Sequence, residues 1–374
     1  MKAINLLFLL GTRPEAIKLA PLIKVFSENK NFSVKVALTA QHRELLDQVI
    51  DFFEIKVDYD LNVMTPNQTL PNLTATLIDR ITSEILLKNH FEYVFVQGDT
   101  TTVLAGAMAA FYQQIKIVHI EAGLRSHNLQ SPFPEEMNRL LTSKLADYHF
   151  CPTENARQNL DRENISKNVY VVGNTVIDSL FYGLEKVNST SDTILLEKYK
   201  SINFSKKIIL VTCHRRENFG IPFNDICTAL LEITNNFSSE IQIVFPVHPN
   251  PNIKNVVTEK LNHPNIHLIE ALDYPELIWM MQKSNFVITD SGGIQEEAPS
   301  IGKPVLVLRN ETERTEGIDA GTAMLVGTNH QKIVDQATKL LRNQAHFDHI
   351  ATASNPYGDG KAADKILQIL IDKN

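Results

Sequence analysis

Six short clusters of polar residues each follow directly after an apolar run of the sequence. The clusters are Gly11–Glu15, Gln97–Thr100, Glu121–Arg125, His214–Asn218, His248–Asn250 and Asp290–Gly293. If the apolar runs are strands of parallel sheets, each cluster lies just beyond the carboxyl end of a strand. Open parallel sheets bind their ligands at that edge. The clusters therefore predict a binding site, and their residue types indicate an anionic ligand.

Three carboxylates, those of Asp99, Glu121 and Glu135, are the candidates for proton transfer. Asp99 and Glu121 end neighbouring predicted strands, so both side chains can point into one cleft. Carboxyl groups that converge in a partly dry cleft hold their protons more tightly, as acid–base chemistry requires. Glu135 lies four residues before Arg139 on a predicted helix, and this spacing favours an ion pair between them. The alternative is that each carboxylate only caps a helix.

The segment from Asp290 to Glu297 predicts a site for a diphosphate. A predicted strand ends before it, and Ser291, Gly292 and Gly293 lead into a helix. The free N–H groups and the dipole of a helix N-terminus attract anions, and the glycines allow close backbone approach. Glu297, about one turn further on, is placed to accept hydrogen bonds from ribose hydroxyls. The alternative is a helix start with acidic residues in its first turn.

Two arginines and one histidine are further candidates. Arg13 and Arg314 can each offer paired donors to a phosphate, although either can equally be part of a surface ion pair. His214 can donate a hydrogen bond to phosphate or protonate a leaving group, and its alternative is a structural role. The histidines and cysteines show no zinc-site spacing, and no strand exit carries G-x-G-x-x-G, so we expect neither a metal nor a cofactor.

The elements that position these residues follow from alternating short apolar runs and longer amphipathic stretches. This alternation predicts an α/β fold of βαβ units on parallel sheets. The first series of predicted strands is Ile4–Leu10, Ser33–Thr39, Tyr93–Val96, Ile115–His119, Tyr148–Cys151 and Val169–Val172. The second series is Lys207–Thr212, Ile241–Pro246, Ile266–Ile269, Phe286–Thr289, Pro304–Leu308 and Ala323–Val326. The predicted helices of the first half are Pro14–Glu28, Arg43–Phe53, Leu70–Asn89, Thr102–Tyr112, Glu135–Ala146 and Glu154–Arg162, and a closing helix spans Lys361–Lys373.

Two series of strands in 374 residues predict two Rossmann-like domains that face each other across a cleft. We place the boundary near Gly173 and Asn174, so that the first domain spans 1–173 and the second spans 174–357. The polar segment 188–205 separates the two series.

Charge and composition narrow the range of partners. The formal net charge is −7, and there is no stripe of Lys or Arg, which argues against a nucleic-acid partner. No apolar run approaches the roughly 20 residues of a membrane span. The three cysteines fit neither a disulfide framework nor a zinc pattern, which favours a cytoplasmic location.

The clusters, taken together, resemble those of the non-hydrolysing bacterial UDP-N-acetylglucosamine 2-epimerases. The resemblance runs almost end to end and in the same order. The matching segments are Gly11–Lys18, Thr39–Arg43, Gly98–Thr102, His119–Arg125, Pro134–Arg139, Gly173–Asp178, His214–Asn218, Asp290–Pro299 and Asn355–Gly360.

The resemblance implies a two-domain glycosyltransferase-B arrangement in which the terminal helix, within 358–374, packs back on the first domain. It implies conversion of UDP-N-acetylglucosamine to UDP-N-acetylmannosamine through 2-acetamidoglucal, without metal or nicotinamide, feeding cell-surface polysaccharide synthesis, and a homodimer. By the same likeness, the acid–base groups are Asp99, Glu121 and Glu135, and His214 assists at the phosphate. The residues that hold UDP are Arg13, Ser291, Gly292, Gly293, Glu297 and Arg314, with Lys18 and Arg139 in support.

Many members of this family are activated by a second UDP-N-acetylglucosamine molecule. The segments that resemble this second site contain Gln41, Arg43, Arg215 and His248. This chain departs from the strongly regulated members at Glu44 and Asn67, and it has Thr315 where the family usually has Pro.

Three other functions remain open from the sequence. A UDP-sugar glycosyltransferase would use the same fold and the Asp290–Glu297 turn, with little need for both Glu121 and Glu135. A hydrolysing epimerase would release free N-acetylmannosamine and UDP. A nucleotide-sugar sensor would bind the ligand without turnover.

Overall fold

The computed structural model of the protein describes residues 3–39, 43–65, 68–248 and 250–373, without the side chains of residues 43–45 and 252. The chain divides into two compact units. The first unit comprises Met1–Ser179 together with Gly358–Asn374, and the second comprises Leu180–Tyr357.

The first unit is built on a seven-stranded sheet in which every described pairing is parallel. Its strands are β1 (Ile4–Leu10), β2 (Phe32–Leu38), β3 (Tyr59–Asp60), β4 (Tyr93–Gln97), β5 (Lys116–Ile120), β6 (Tyr148–Cys151) and β7 (Val169–Val171). They lie in the order β3-β2-β1-β4-β5-β6-β7. The order reverses between β1 and β4, and ligands bind at such a switch point.

The second unit has a six-stranded sheet, again parallel in every described pairing. Its strands are β8 (Lys207–Thr212), β9 (Ile241–Val247), β10 (Ile266–Glu270), β11 (Phe286–Thr289), β12 (Val305–Val307) and β13 (Ala323–Leu325). They lie in the order β10-β9-β8-β11-β12-β13, so the switch point falls between β8 and β11.

Helices connect nearly all of these strands. They are α1 (Arg13–Glu28), α2 (Arg43–Phe52), α3 (Leu70–Arg80), α4 (Thr101–Tyr112), α5 (Glu135–Leu145), α6 (Glu154–Arg162), α7 (Thr175–Thr190), α8 (Asp192–Lys198), α9 (Ile221–Asn236), α10 (Pro251–Lys260), α11 (Tyr274–Lys283), α12 (Gly292–Ser300), α13 (Thr315–Asp319), α14 (His330–Arg342), α15 (Gln344–Ala351) and α16 (Ala362–Asp372). A π-helical segment, Ile81–Leu86, continues α3, and a short 3-10 turn spans Arg216–Asn218.

The central strands are apolar because helices cover both faces of each sheet. Every residue of β4 is buried, and so is every residue of β11. In the first unit, Phe8 stacks on Phe95 with ring centroids 4.3 Å apart, and Phe26 of α1 packs against both rings. This packing fixes the ends of β1 and β4, from which the candidate site residues extend.

The last helix belongs to the first unit. Helix α16 packs against α1, and Oδ1 of Asp178 accepts a hydrogen bond of 2.8 Å from the backbone N–H of Ala363. The prediction of two parallel-sheet α/β domains, with the terminal helix returning to the first, is confirmed.

Two local features differ from the sequence-based prediction. The segment 188–205 contains the end of α7 and the whole of α8, because Leu195 and Tyr199 are buried despite the polar composition around them. The two-residue strand β3 has no apolar run long enough to predict it. No helix in the described ranges is long and apolar enough to cross a membrane.

Candidate active site

Glu121 follows β5 directly and is held by three side chains. Its carboxylate oxygens lie 2.7 and 2.6 Å from Nζ of Lys18, Nδ2 of Asn174 donates to Oε1 at 2.9 Å, and Nε2 of Gln97 donates to Oε2. The side chain is almost fully buried. Glu121 also has a φ of 62°, in the left-handed region that non-glycine residues seldom adopt. Strained backbone of this kind is concentrated at functional sites.

Asp99 lies in the loop after β4, the strand that pairs with β5. Nε and Nη2 of Arg139 lie 2.9 and 2.7 Å from Oδ2 of Asp99, and Nδ2 of Asn138 donates to its backbone carbonyl at 2.8 Å. Helix α5 therefore fixes both the side chain and the backbone of Asp99. The Asp99 side chain keeps about a quarter of its surface exposed, 26%, so a ligand can reach it.

Arg139 does not pair with Glu135, and this part of the prediction was wrong. Its second carboxylate partner is Glu136, three residues earlier on α5, at 3.0 Å. Glu136 is buried and also accepts the backbone N–H groups of Ser126 and His127, each at 3.0 Å. These donors keep the pKa of Glu136 below its usual value despite its burial.

Glu135 is the first residue of α5. Its Oε2 atom is buried and has no hydrogen-bond partner among the described residues. A buried oxygen without a partner loses its hydration free energy unless a ligand or a proton compensates. Glu135 is therefore available to a ligand or a proton, since the described residues offer its Oε2 atom no hydrogen bond.

Two loops meet at the switch point of the first sheet. Glu15, on the first turn of α1, accepts from the backbone N–H of Gly11 at 2.5 Å and of Thr12 at 3.2 Å. Its other oxygen accepts from Oγ1 of Thr100 at 2.5 Å, beyond β4. Arg13 lies next to Thr12 in sequence and makes no ion pair with any residue in the described ranges. These residues therefore do not support the alternative that Arg13 is part of a surface ion pair.

Asp290 fixes a loop at the switch point of the second sheet, as Glu15 does at that of the first. It is fully buried after β11, and its Oδ2 accepts the backbone N–H groups of His214 and Arg215 at 2.9 and 2.8 Å. Nδ2 of Asn218 donates to the same oxygen at 3.0 Å. Nδ1 of His214 lies 3.3 Å from Oδ1 of Asp290. The carboxylate thus fixes the loop after β8, while the His214 side chain is 44% exposed.

Helix α12 begins at the same switch point, after Ser291. A Cβ atom at Gly292 would lie 2.9 Å from Cζ of Arg314, so only glycine lets this guanidinium lie against the helix start. Nε of Arg314 donates to Oε1 of Glu296 at 2.9 Å, and Nη1 also pairs with Glu313. The N-terminus of α12 and Arg314 together form a local concentration of N–H donors, as anion binding requires.

Glu297 lies further along α12, after Gly293. Its side chain is buried, and Oε1 accepts a hydrogen bond of 3.0 Å from the hydroxyl of Tyr274 on α11. Burial raises the pKa of the Tyr274 hydroxyl well above its usual value, and the neighbouring Glu297 adds to the rise. The hydroxyl group of Tyr274 therefore stays protonated, and it donates the hydrogen bond that holds the Glu297 carboxylate in place.

Four residues were predicted to bind a second ligand. Gln41 and the side chain of Arg43 lie outside the described residues, as do Asn67 and the side chain of Glu44. The ring of His248 stacks on that of His214 with centroids 5.9 Å apart. Arg215 lies 3.9 Å from Glu313. No group of three His, Cys, Asp or Glu side chains arranged to hold a metal ion occurs in the part of the chain that the structure describes.

The sequence and the fold match one family of known proteins. Residues 24–371 match the model of the family described as UDP-N-acetylglucosamine 2-epimerase. The enzyme of that name from Salmonella typhimurium is 50% identical over 371 residues, covering 98% of both chains. The one from Escherichia coli K12 is 49% identical with the same coverage. This chain belongs to the UDP-N-acetylglucosamine 2-epimerase family.

Solved structures agree with the family assignment. The crystal structure of UDP-GlcNAc 2-epimerase from Neisseria meningitidis bound to UDP-GlcNAc is 46% identical, with a TM-score of 0.90 over 99% of this chain and all of the other. The Methanocaldococcus jannaschii enzyme, in complex with UDP-GlcNAc and UDP, is 32% identical with a TM-score of 0.82 over 99% of this chain and all of the other. The two-unit α/β fold described above is therefore the fold of the epimerase family.

One departure from the epimerase family pattern has a simple local explanation. Thr315, which stands where the family usually has Pro, is the first residue of α13. Proline suits that position because its fixed φ fits a helix start and the first N–H of a helix has no partner within the helix. Threonine also fits there, so the substitution preserves the helix that follows Arg314.

The structure gives a role to five residues to which the sequence assigned no individual role. They are Glu15, Gln97, Asn174, Tyr274 and Asp290. Three of them lie inside the family-like segments, and Gln97 directly precedes one. These four residues could therefore have been predicted as site residues from their polar side chains just after a predicted strand. Tyr274 lies on a helix outside every such segment, and no sequence signal marks it.

Proposed function

We propose that this chain interconverts UDP-N-acetylglucosamine and UDP-N-acetylmannosamine. The observation that carries the proposal is the buried Glu121 carboxylate, which is held in a left-handed backbone conformation, paired with Lys18, and one strand away from Asp99. The relatives of this chain bear the name of that activity. Proton transfer at a weakly acidic carbon requires positioned carboxylates and hydrogen-bond donors of this kind.

The reaction that fits this site is an elimination followed by an addition. A carboxylate takes the proton from carbon 2 of the sugar, the bond between carbon 1 and the UDP oxygen breaks, and a double bond forms between carbons 1 and 2. The products of this half-reaction are 2-acetamidoglucal and UDP. A proton is then returned to the opposite face of carbon 2 while the UDP oxygen rejoins carbon 1. The cycle consumes neither water nor an oxidant.

In this proposal the first unit supplies the groups that remove the proton from carbon 2 and return it. They are Asp99, Glu121 and Glu135. Arg139 orients Asp99, and the ammonium group of Lys18 balances the charge of Glu121. The partnerless oxygen of Glu135 supports its assignment, since it is available to a proton or to the substrate.

The second unit supplies the groups that bind UDP in this proposal. The N–H groups of Ser291, Gly292 and Gly293 and the guanidinium group of Arg314 bind the diphosphate, with Arg13 of the first unit as a further donor. Glu297, oriented by Tyr274, accepts from the ribose hydroxyls. His214 donates to the oxygen that leaves carbon 1, where negative charge develops.

Deuterium incorporation tests the proposed reaction. UDP-GlcNAc incubated with the protein in deuterated water is expected to give UDP-ManNAc that carries deuterium at carbon 2. Asp99→Asn and Glu121→Gln are expected to lower the rate by at least about 100-fold while retaining UDP binding. Free ManNAc together with UDP would instead identify a hydrolysing enzyme, and sugar transfer to an acceptor would identify a glycosyltransferase. Binding of UDP-GlcNAc without exchange or epimer would contradict catalysis altogether.

We further propose that the protein is a cytoplasmic homodimer. Large apolar side chains are exposed on α4 and α5, which pack on each other: Phe111, Tyr112, Met137 and Leu141. Exposed apolar side chains in such number favour a protein partner. All three cysteines are buried free thiols, as expected in a reducing compartment. Light scattering of the purified protein should give twice the chain mass, and Leu141→Lys should lower it toward that of one chain.

Activation by a second UDP-GlcNAc molecule stays a prediction for this chain. It is tested with UDP-ManNAc as the substrate and trace UDP-GlcNAc as the activator. An increase in the initial rate that Arg215→Ala abolishes would support activation.

A further inference from the structure

Glu15 is a buried carboxyl group that joins two loops at the switch point of the first sheet. It is only 2% exposed. Oε2 accepts from the backbone N–H of Gly11 at 2.5 Å, and Oε1 accepts from the Thr100 hydroxyl at 2.5 Å. The first contact lies beyond β1 and the second beyond β4.

Both joined loops carry residues of the proposed site. Arg13 follows Thr12 directly, and Asp99 precedes Thr100. The packing around them leaves little freedom, since a Cβ atom at Gly11 would lie 2.3 Å from Oγ1 of Thr102. A change at the Glu15 carboxyl group is therefore transmitted to the backbone on either side of the switch point.

A helix-capping role explains only part of this arrangement. Thr12 and Glu15 have the spacing of a capping box, and Oε2 of Glu15 does reach back to the Thr12 N–H at 3.2 Å. Capping residues normally lie at the surface, where water can supply the same hydrogen bonds. Capping requires neither the burial of Glu15 nor its bond to Thr100 on a different loop.

The charge on Glu15 changes near neutral pH. Burial raises its pKa to about 7, against the hydrogen bonds from Thr100, Gly11 and Thr12, and the negative charge of Asp99 raises it further. Thr102, which lies beside the same Gly11 as Glu15, is neutral and bonded to Thr39 at 2.9 Å. On its own helix, the charged residues nearest to Glu15 in sequence are Arg13 and Lys18.

The ionised form of Glu15 is the form that holds the two loops most strongly. Its carboxylate oxygens accept from the Gly11 N–H, the Thr12 N–H and the Thr100 hydroxyl, and hydrogen bonds to a charged acceptor are stronger than neutral ones. Arg139 pairs with Asp99 from α5, so the loop that carries Asp99 and Thr100 is held from both sides.

We propose that Glu15 is a positioning residue whose ionised carboxylate holds the Arg13 and Asp99 loops together. This inference rests on the proposed epimerase function. It adds a fourth carboxyl group that controls the reaction without touching the substrate.

The pH dependence of turnover tests the proposal. The rate kcat and the KM for UDP-GlcNAc are measured from about pH 5.5 to 9 for the natural chain and Glu15→Gln, with Glu28→Gln as the control. Gln retains an oxygen for the Gly11 N–H and an amide for Thr100, but it carries no charge. Glu28 is exposed on the same helix and pairs only with Lys24 among the described residues.

We expect Glu15→Gln to lower kcat by about 10-fold above pH 8 with KM changed less than about twofold, the effect of weakening one charge-assisted hydrogen bond. We also expect kcat of the natural chain and of Glu28→Gln to rise as the pH passes 7. The kcat of Glu15→Gln should not rise there. If Glu15→Gln retains the kcat and the pH profile of the natural chain, Glu15 is only a helix cap and the proposal is wrong. Failure of the natural chain to form UDP-ManNAc would overturn the proposed function and this inference together.

Thr100→Val provides a second test that keeps the Glu15 carboxyl group. It removes the hydrogen bond that favours the ionised form of Glu15, so the rise of kcat should move to higher pH. If Glu15→Gln does not fold, the pH profile of Thr100→Val tests the proposal on its own. An unchanged midpoint in folded Thr100→Val would contradict the proposal.

Discussion

Nζ of Lys18 lies 2.7 and 2.6 Å from the two carboxylate oxygens of Glu121. Lys18→Met removes a positive charge in direct contact with this buried carboxylate and keeps the hydrogen bonds from the amides of Gln97 and Asn174. We expect kcat to fall by at least about 100-fold and the free energy of unfolding by roughly 3 kcal/mol. Turnover of UDP-GlcNAc and urea denaturation measure the two effects.

A matched control for this variant lies on the same helix. Lys24 is exposed near the end of α1 and pairs with Glu28. Lys24→Met should change kcat less than about twofold, since exposed ion pairs contribute little. Equal kcat values for the two Lys→Met variants would contradict a role for Lys18 in the reaction.

The coupling between His214 and Asp290 can be measured with a double-mutant cycle. Asp290 holds the loop of His214 through two backbone N–H groups and faces its ring. We expect His214→Ala and Asp290→Asn each to lower kcat by about 10- to 100-fold, and the double variant to lose little more. Asp225→Asn, an exposed change on α9, should leave kcat unaltered. Fully multiplicative losses would show that the two residues act independently.

The sequence predicted the elements well because their signals are local. The apolar runs of β1, β6, β8 and β11 end where the chain next becomes polar, so their bounds were found without tertiary information. The strand exits also marked the carboxylates of Asp99 and Glu121. Helix α8 was not predicted, because its stability depends on burial of Leu195 by other parts of the unit.

The partners of the site residues were much harder to predict. Arg139 has carboxylates at both i−3 and i−4, and only the packing of α5 beside the loop after β4 selects Glu136 and Asp99. Glu15 is the clearest case, because its sequence pattern describes a helix cap completely. Its contact with Thr100 joins residues that are distant in sequence, and only the fold brings them together.

Tyr274 is expected to affect the affinity for UDP rather than the chemical step. Its hydroxyl group fixes Oε1 of Glu297 from a buried position on α11. Tyr274→Phe keeps the ring but frees the carboxylate, so we expect the Kd for UDP to rise by about 5- to 10-fold, the value of one hydrogen bond. Titration calorimetry with UDP measures this change, with the exposed Tyr112→Phe as the control. An unchanged Kd would mean that Glu297 does not contact the nucleotide.

Glu15 should also make the stability of the protein depend on pH. Its pKa is about 7 in the folded protein, against the ordinary value of 4.5 for a glutamate in an unfolded chain. Below pH 4.5 the group is protonated in both states. Between pH 4.5 and 7 the unfolded chain loses this proton more readily, so the contribution of Glu15 to the free energy of unfolding falls as the pH rises.

Glu15→Gln removes this titration and should therefore be more stable, relative to the natural chain, at higher pH. The relative gain between about pH 4.5 and 8 is expected to be on the order of 3 kcal/mol. Urea denaturation at the two pH values measures it, and Glu28→Gln corrects for the loss of a carboxylate at the surface. Replacing the carboxyl group by an amide otherwise adds only a pH-independent difference, because the pKa of about 7 already includes the contacts with the Gly11 and Thr12 N–H groups. A difference between Glu15→Gln and the natural chain that stays constant with pH would show that Glu15 titrates alike in the folded and unfolded states, and that its burial does not hold its proton.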